Sequence, residues 1–184
     1  MEEPEGPAGE EFPPPASPYA AAKQGASAYA RMFHALYGTP VVTARVFMVY
    51  GPGQRDLAKL GPYVALSLQR GERPSLSSGE RPVDWVYVDD VVEGLLALAL
   101  TPGIEGRRLD LGSGELVTVR GVAERLAELA GEGAELGIGE RPDRPMEPVR
   151  RADVETTREL TGWTPRVALD DGLARTGEHY RALA

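Results

Sequence analysis

The 184-residue chain is 42% hydrophobic and 26% charged, with a formal charge of −8 and a pI near 4.9, a composition that fits a soluble globular domain able to bury a core. The acidic balance excludes a general nucleic-acid binder, which needs surplus Lys and Arg; no stretch is long and apolar enough to insert in a membrane; and the lack of cysteine excludes disulfides and thiolate metal sites. The opening MEEPEGPAGEEF has neither the basic nor the apolar region of a signal peptide, so a cytoplasmic location is expected.

Residues 1–16 are rich in Pro, Gly and Glu and read as an extended acidic lead-in. Ser17 is a good N-cap and Pro18 suits the first helical position, so a helix is predicted from Pro18 to about Tyr37, closed by Gly38 with Pro40 beyond. VVTARVFMVYG, residues 41–51, is a continuous β-branched and aromatic run between turn residues. It predicts one strand buried on both faces, as in a parallel sheet. After the loop GPGQR, LGPYVALSLQRG predicts a short amphipathic helix ending at Gly71. PVDWVYVDDVVEGLLALAL predicts a strand holding Asp84, Trp85 and Tyr87, then a helix capped by Asp89 or Asp90 and running to about Leu100.

RRLDLGS predicts a further strand. Thr118 starts the helix VRGVAERLAELAG, with Val122, Leu126 and Leu129 on one apolar face. AELGIGERPDRPMEPVRRAD is loop-like with room for one short strand, Asp153 caps a short helix ending near LTGW, and LDDGLARTGEHYRAL is the last helix. No fixed-period repeat interrupts this alternation of strands and helices, which indicates an α/β layer arrangement.

The chemistry is concentrated at the start of the first helix. Tyr19 and Lys23 are four residues apart and so share a face, and Lys23 and Lys59 are the only lysines of the chain. A cation one turn from a tyrosine, with the partial positive charge of a helix N-terminus, favours the phenolate. A phenol so placed can serve as general acid or base on an alcohol or carbonyl. The bland alternative is a packed tyrosine beside a solvated lysine, which chance often produces on amphipathic helices. His34 and His179 stand in no ligand spacing, so no metal site is expected and both read as helix-surface residues.

Four ordered segments decide between these readings. SPYAAAK, ARVFMVYGPGQR, RPVDWVYVDDVV and LTGWTPRVALDDGLARTGEHYR together resemble the extended short-chain dehydrogenase/reductases, the NAD-dependent nucleotide-sugar epimerases and dehydratases, over nearly the whole chain. The resemblance implies an α/β fold, the C-terminal part of a Rossmann-like, doubly wound and mostly parallel sheet, plus a small α/β substrate-binding subdomain. Residues 17–58 would be the remnant of the Rossmann-like domain. Residues 59–184 would be mainly the substrate subdomain, with some elements returning to the sheet. Tyr19 would be the acid/base, and Lys23 would assist it and bond the nicotinamide ribose of NAD or NADP. Phe47 and Val49 would lie beside the nicotinamide, and Met48 and Arg55 beside the sugar. Arg81 would face the substrate diphosphate, Asp84 would frame the pocket, and Arg144 would contact phosphate or nucleotide. For both arginines a solvated surface position is the alternative.

The departures are as informative. No glycine-rich turn follows a first strand, although the resembling enzymes hold the cofactor pyrophosphate there, and the family's catalytic Ser or Thr is missing. The chain therefore reads as the C-terminal half of such an enzyme: an excised fragment, one half of a split enzyme, or a degenerate relative. Tight NAD(P) binding and turnover by this chain alone are not expected, and a homo-oligomer or a separate N-terminal partner chain is. Met48 replaces a common Asn and cannot supply its amide, and Arg81 lies two residues further from Asp84 than the commonest pattern places it. These features also suit a non-catalytic nucleotide-sugar-binding or assembly module.

Overall fold

Local capping chemistry sets the first element, α1 (Pro18–Tyr37). The Ser17 hydroxyl accepts the Ala20 N–H at 3.1 Å and proline occupies the first turn. Gly38 closes the helix at φ 64°, a left-handed position that favours glycine, and donates its N–H to the His34 carbonyl. A computed structural model describes residues 17–131, 133–143 and 148–182; the lead-in at 1–16 lies outside them. No residue of α1 is buried.

The sheet elements are β1 (Thr43–Val46), β2 (Met48–Tyr50), β3 (Pro82–Tyr87), β4 (Arg108–Leu111) and β5 (Leu116–Thr118). They alternate with α2 (Leu60–Gln69), α3 (Val88–Leu100), α4 (Val119–Ala130), α5 (Val154–Thr161) and α6 (Leu169–Arg181). β1 pairs parallel with β4, β2 pairs parallel with β3, and β3 pairs antiparallel with β5. The expectation of one strand over 41–51 is corrected: the run changes partner at Phe47. The Phe47 N–H still reaches the Leu111 carbonyl at 3.0 Å, after which Met48 aligns with Trp85. Nor is the run buried on both faces. Val46 and Met48 are exposed, and among the described residues no strand covers the other edge of β1.

Three smaller expectations change as well. Tyr87, not Asp89 or Asp90, occupies the N-cap of α3, and both aspartates fall within its first turn, where carboxylates complement the helix dipole. The short strand β5 was not foreseen, because LVT runs straight into the Thr118 cap of α4. Leu129 is 38% exposed while Val122 and Leu126 are buried, so the buried face of α4 ends a turn early. Within 133–143, the strand-like element is an isolated parallel bridge between Ser75 and Gly137.

Two apolar clusters hold the layers. One joins Tyr50, Val64, Trp85, Tyr87, Val122, Leu126 and Leu173, uniting α2, α4 and α6 against the β2–β3 pair. The other gathers Leu98, Ile104, Leu109, Leu111 and Trp163 under α3 and beside β1 and β4. The first is packed tightly enough to dictate sequence. A Cβ at Gly172, in the interior of α6, would overlap the Tyr50 phenol, with Cζ only 2.8 Å away, and Tyr50 is itself buried. Gly to Ala inside a helix ordinarily stabilises by roughly 0.5–1 kcal/mol. Here Gly172→Ala is expected to destabilise by about 1–3 kcal/mol through overpacking, read as a fall in the urea midpoint; an unchanged or higher midpoint would contradict the packing described.

Candidate active site

Tyr19 and Lys23 project from the first and second turns of α1. Tyr19 is 72% exposed, Lys23 is exposed, and the ammonium lies 5.5 Å from the centre of the tyrosine ring. Among the described residues neither side chain forms a hydrogen bond, so the phenol oxygen and the three ammonium donors are open. Tyr50 is the contrasting phenol: burial pushes it well above the ordinary range, with Asp90 adding to the effect, and its hydroxyl donates to the Leu169 carbonyl at 3.3 Å. Tyr50 is a core group.

The second cluster follows the β1–β2 run. Phe47 packs its ring 5.4 Å from the Arg45 guanidinium, which forms a two-pronged ion pair with Asp110, Nε to Oδ1 being 2.7 Å. Met48 is exposed opposite Trp85, and Val49 is half-buried opposite Val86. Arg55 is exposed on the bend that follows. Among the described residues no hydrogen bond or ring contact joins this cluster to Tyr19 or Lys23. His34 is half-buried, its ring nitrogen Nδ1 3.0 Å from the Thr39 carbonyl oxygen; His179, also half-buried, stacks edge-on to Tyr180.

Arg81 is half-buried at the entry to β3, and its carbonyl accepts the Val119 N–H. In a third cluster, residues 137–143 run as a strap along residues 74–78. Leu76 N–H bonds the Gly137 carbonyl at 2.8 Å, Gly139 N–H bonds Ser77 at 3.1 Å and Arg141 N–H bonds Leu76 at 3.0 Å. Two carboxylates latch it: Glu140 accepts from Arg73 and, at 2.6 Å, from the Ser75 hydroxyl. Asp143 accepts the Ser78 hydroxyl at 2.9 Å and its N–H at 3.1 Å. Arg141 lies 5.0 Å from the Tyr63 ring centre and donates to the Tyr63 hydroxyl at 3.1 Å. Sequence reading singled out Arg144 in RPDRP, which lies outside the described residues, and passed over Arg141 at the other end of the same motif. The sequence signal was equal for both.

Asp84 is 1% exposed. Its Oδ1 accepts Ser113 N–H at 2.6 Å and the Ser113 hydroxyl at 2.9 Å, and its Oδ2 accepts Gly114 N–H at 3.0 Å and Ala152 N–H at 2.9 Å. Gly112 is required beside it, because a Cβ there would lie 2.5 Å from the Ala152 Cβ and 2.9 Å from Asp84 Oδ1. Asp90 likewise accepts the N–H groups of Arg166 and Val167, and Asp110 that of Asp153. These carboxylates hold loops in place.

The same layers recur in known proteins. A sequence profile of the NAD dependent epimerase/dehydratase family matches residues 2–112. The chain belongs to that family. As an epimerase/dehydratase family member it is similar to dTDP-glucose 4,6-dehydratase of Streptomyces niveus, 34% identical over 181 residues, covering 97% of this chain and 53% of that enzyme. Its fold superposes, with a TM-score of 0.84 and 26% identity, on UDP-glucuronic acid 4-epimerase from Bacillus cereus, solved with UDP-glucuronic acid and NAD, covering 94% of this chain and 55% of that one. RMD from Pseudomonas aeruginosa, complexed with NADPH, gives a TM-score of 0.83 at 25% identity, covering 100% of this chain and 63% of that one. The fold is thus a partial Rossmann-like α/β fold, and the chain spans about half the length of the curated relatives it matches.

The strap has a defined pH response. Glu140 and Asp143 are held below their ordinary 4.5 and 3.8, chiefly by the Ser75 and Ser78 side chains. Their contribution is therefore complete above those values and is lost as pH falls through the lower folded-state values. Amide exchange at Gly139 and Arg141, corrected for intrinsic pH dependence, is expected to accelerate below about pH 4 before the α4 and α6 amides follow; simultaneous release of all of them would contradict a separately latched strap.

Proposed function

We propose that this chain is the substrate-binding part of an NAD(P)-dependent nucleotide-sugar epimerase, dehydratase or reductase, acting together with a glycine-rich, dinucleotide-binding part. The observation that carries this reading is the Tyr19–Lys23 pair, open and adjacent on the uncovered first turns of α1, in a chain of this family. The donor set fits the nicotinamide-ribose end of the cofactor: an exposed ammonium for ribose hydroxyls beside an exposed phenol. Residues 1–184 hold no glycine-rich turn after a strand for the pyrophosphate end, and that end is assigned to the dinucleotide-binding part.

NAD(P), when bound, accepts a hydride from the substrate's carbinol carbon and can return it. The work of this chain is then proton transfer and positioning. Tyr19 Oη takes the carbinol hydroxyl proton and gives it back to the carbonyl oxygen, with the Lys23 ammonium 5.5 Å from the ring centre beside it. Met48 offers an exposed apolar contact, and Met48 in place of an amide points to a sugar recognised there by shape. Arg81 and Arg141 supply planar guanidinium donors for a diphosphate, with Arg55 further along the same chain run. The exposed faces of α1 and β1 are where the dinucleotide-binding part packs.

The chain alone is expected to show no turnover of UDP- or dTDP-sugars with NAD(P). Fused by a flexible linker to the N-terminal half of a relative such as the Streptomyces niveus dehydratase, it is expected to turn over one of them. Tyr19→Phe in that fusion should lower kcat roughly a hundredfold or more, the scale of a lost general acid/base, with little change in KM. Turnover by the chain alone, or full activity of Tyr19→Phe, would overturn the reading. Met48 favours a second reading, a binding module, and calorimetry identifies it: a nucleotide sugar bound by the fusion without any NAD(P) binding.

A further inference from the structure

We propose that His34 is a positioning residue, the fulcrum that sets the direction of α1 and so brings Tyr19 and Lys23 to their working place; this rests on the substrate-binding reading above. No residue of α1 is buried, so few contacts hold its tilt. The His34 ring is seated on Gly106: a Cβ built there would lie 2.6 Å from Nε2 and 3.1 Å from Cγ. The ring therefore fills the space that a side chain at residue 106 would take, and the left-handed φ of 81° at that residue favours glycine as well.

Both sides of this seat are tied to the sheet. His34 Nδ1–H donates to the Thr39 carbonyl at 3.0 Å, and the same carbonyl accepts the Val41 N–H at 2.9 Å. The Val41 carbonyl accepts the Gly106 N–H at 2.7 Å, and Thr43 N–H bonds the Arg107 carbonyl at 2.9 Å, where the β1–β4 pairing begins. Ile104, two residues before Gly106, is buried in the second apolar cluster. The ring is thus held between the exit turn of α1 and the entry turn of β4. Tyr19 stands 15 residues before His34, about 22 Å away along the helix at about 1.5 Å of rise per residue. A rotation of about 5° about the seat moves the phenol by about 2 Å over that length, and a misplacement of about 1 Å can cost a reaction about a hundredfold. Tyr19 and Lys23 share the helix, so their mutual spacing is kept; what His34 sets is where the pair stands against the sheet.

Gln24→Cys and Glu93→Cys give the full chain, which has no cysteine of its own, two spin labels at exposed positions of α1 and α3. Their separation, measured in excess unlabelled chain, reports the direction of α1. His34→Asn keeps a donor for the Thr39 carbonyl but loses the ring; His34→Phe keeps a ring but loses the donor. A narrow separation is expected for His34 and for His34→Phe, and one shifted or broadened by about 2 Å or more for His34→Asn, with the α4 and α6 amides protected from exchange in all three. In the fusion with UDP- or dTDP-sugars, His34→Asn should lower kcat about tenfold or more with KM kept within about threefold, and His34→Phe should restore kcat. An unchanged separation or an undiminished kcat in His34→Asn would overturn the proposal, as would loss of α4 and α6 protection in that variant or a shifted separation in His34→Phe. Should the unmodified fusion turn over no sugar nucleotide, the functional reading fails by itself, and the label separations still decide whether His34 sets the direction of α1.

Discussion

Carboxylates accepting main-chain N–H groups hold this structure together where its short strands cannot. Asp84, Asp90 and Asp110 are all nearly fully buried, and each binds a segment distant in sequence: residues 113–114 and 152, residues 166–167, and residue 153. Burying a carboxylate costs several kcal/mol unless its lone pairs are satisfied, and charge-assisted bonds of about 1.5–3 kcal/mol each are what offset that cost here. The three together clamp the chain from 151 to 167 onto the sheet. The second apolar cluster depends on this clamp, since Trp163 reaches Leu98 and Leu111 only because the flanking residues are fixed and its own indole N–H finds the Asp90 carbonyl.

The opposite side of the molecule is governed by what is not covered. α1 carries Tyr29, Phe33, Leu36 and Tyr37 exposed, and α3 adds Val92, Leu95, Leu96 and Leu100. Exposed apolar side chains in such number along a helix suit a contact face, and the edge of β1 that no strand covers among the described residues is a template for a further strand. The proposed acid/base pair, Tyr19 and Lys23, sits at the start of that same helix. Covering α1 and completing the proposed site are therefore one event in this account, and the pair is presented by an element with no buried residue.

Features written in local chemistry were legible in the sequence. Ser17, Pro18 and Gly38 gave the ends of α1, and Thr118 and Asp153 gave the starts of α4 and α5, because caps are read within a single turn. The order of four motifs pointed to the family, which the profile match over residues 2–112 shows. What failed was set by partners far along the chain. The break at Phe47 exists because β1 and β2 pair with different strands, and periodicity carries no sign of it. Asp90 reads as a helix cap but its carboxylate is engaged by Arg166 and Val167. The Tyr63 ring beneath the Arg141 guanidinium is 78 residues away in sequence and leaves no local sign in RPDRP.

The central proposal is that α1 presents Tyr19 and Lys23 on a face that a dinucleotide-binding part covers. Sedimentation velocity of the chain at micromolar concentration, alone and with the N-terminal half of a relative added as a separate polypeptide, addresses it directly. The account predicts concentration-dependent self-association of the chain alone, replaced by a one-to-one complex in which the α1 aromatic residues become protected. A monodisperse monomer that stays monomeric in both experiments would contradict it.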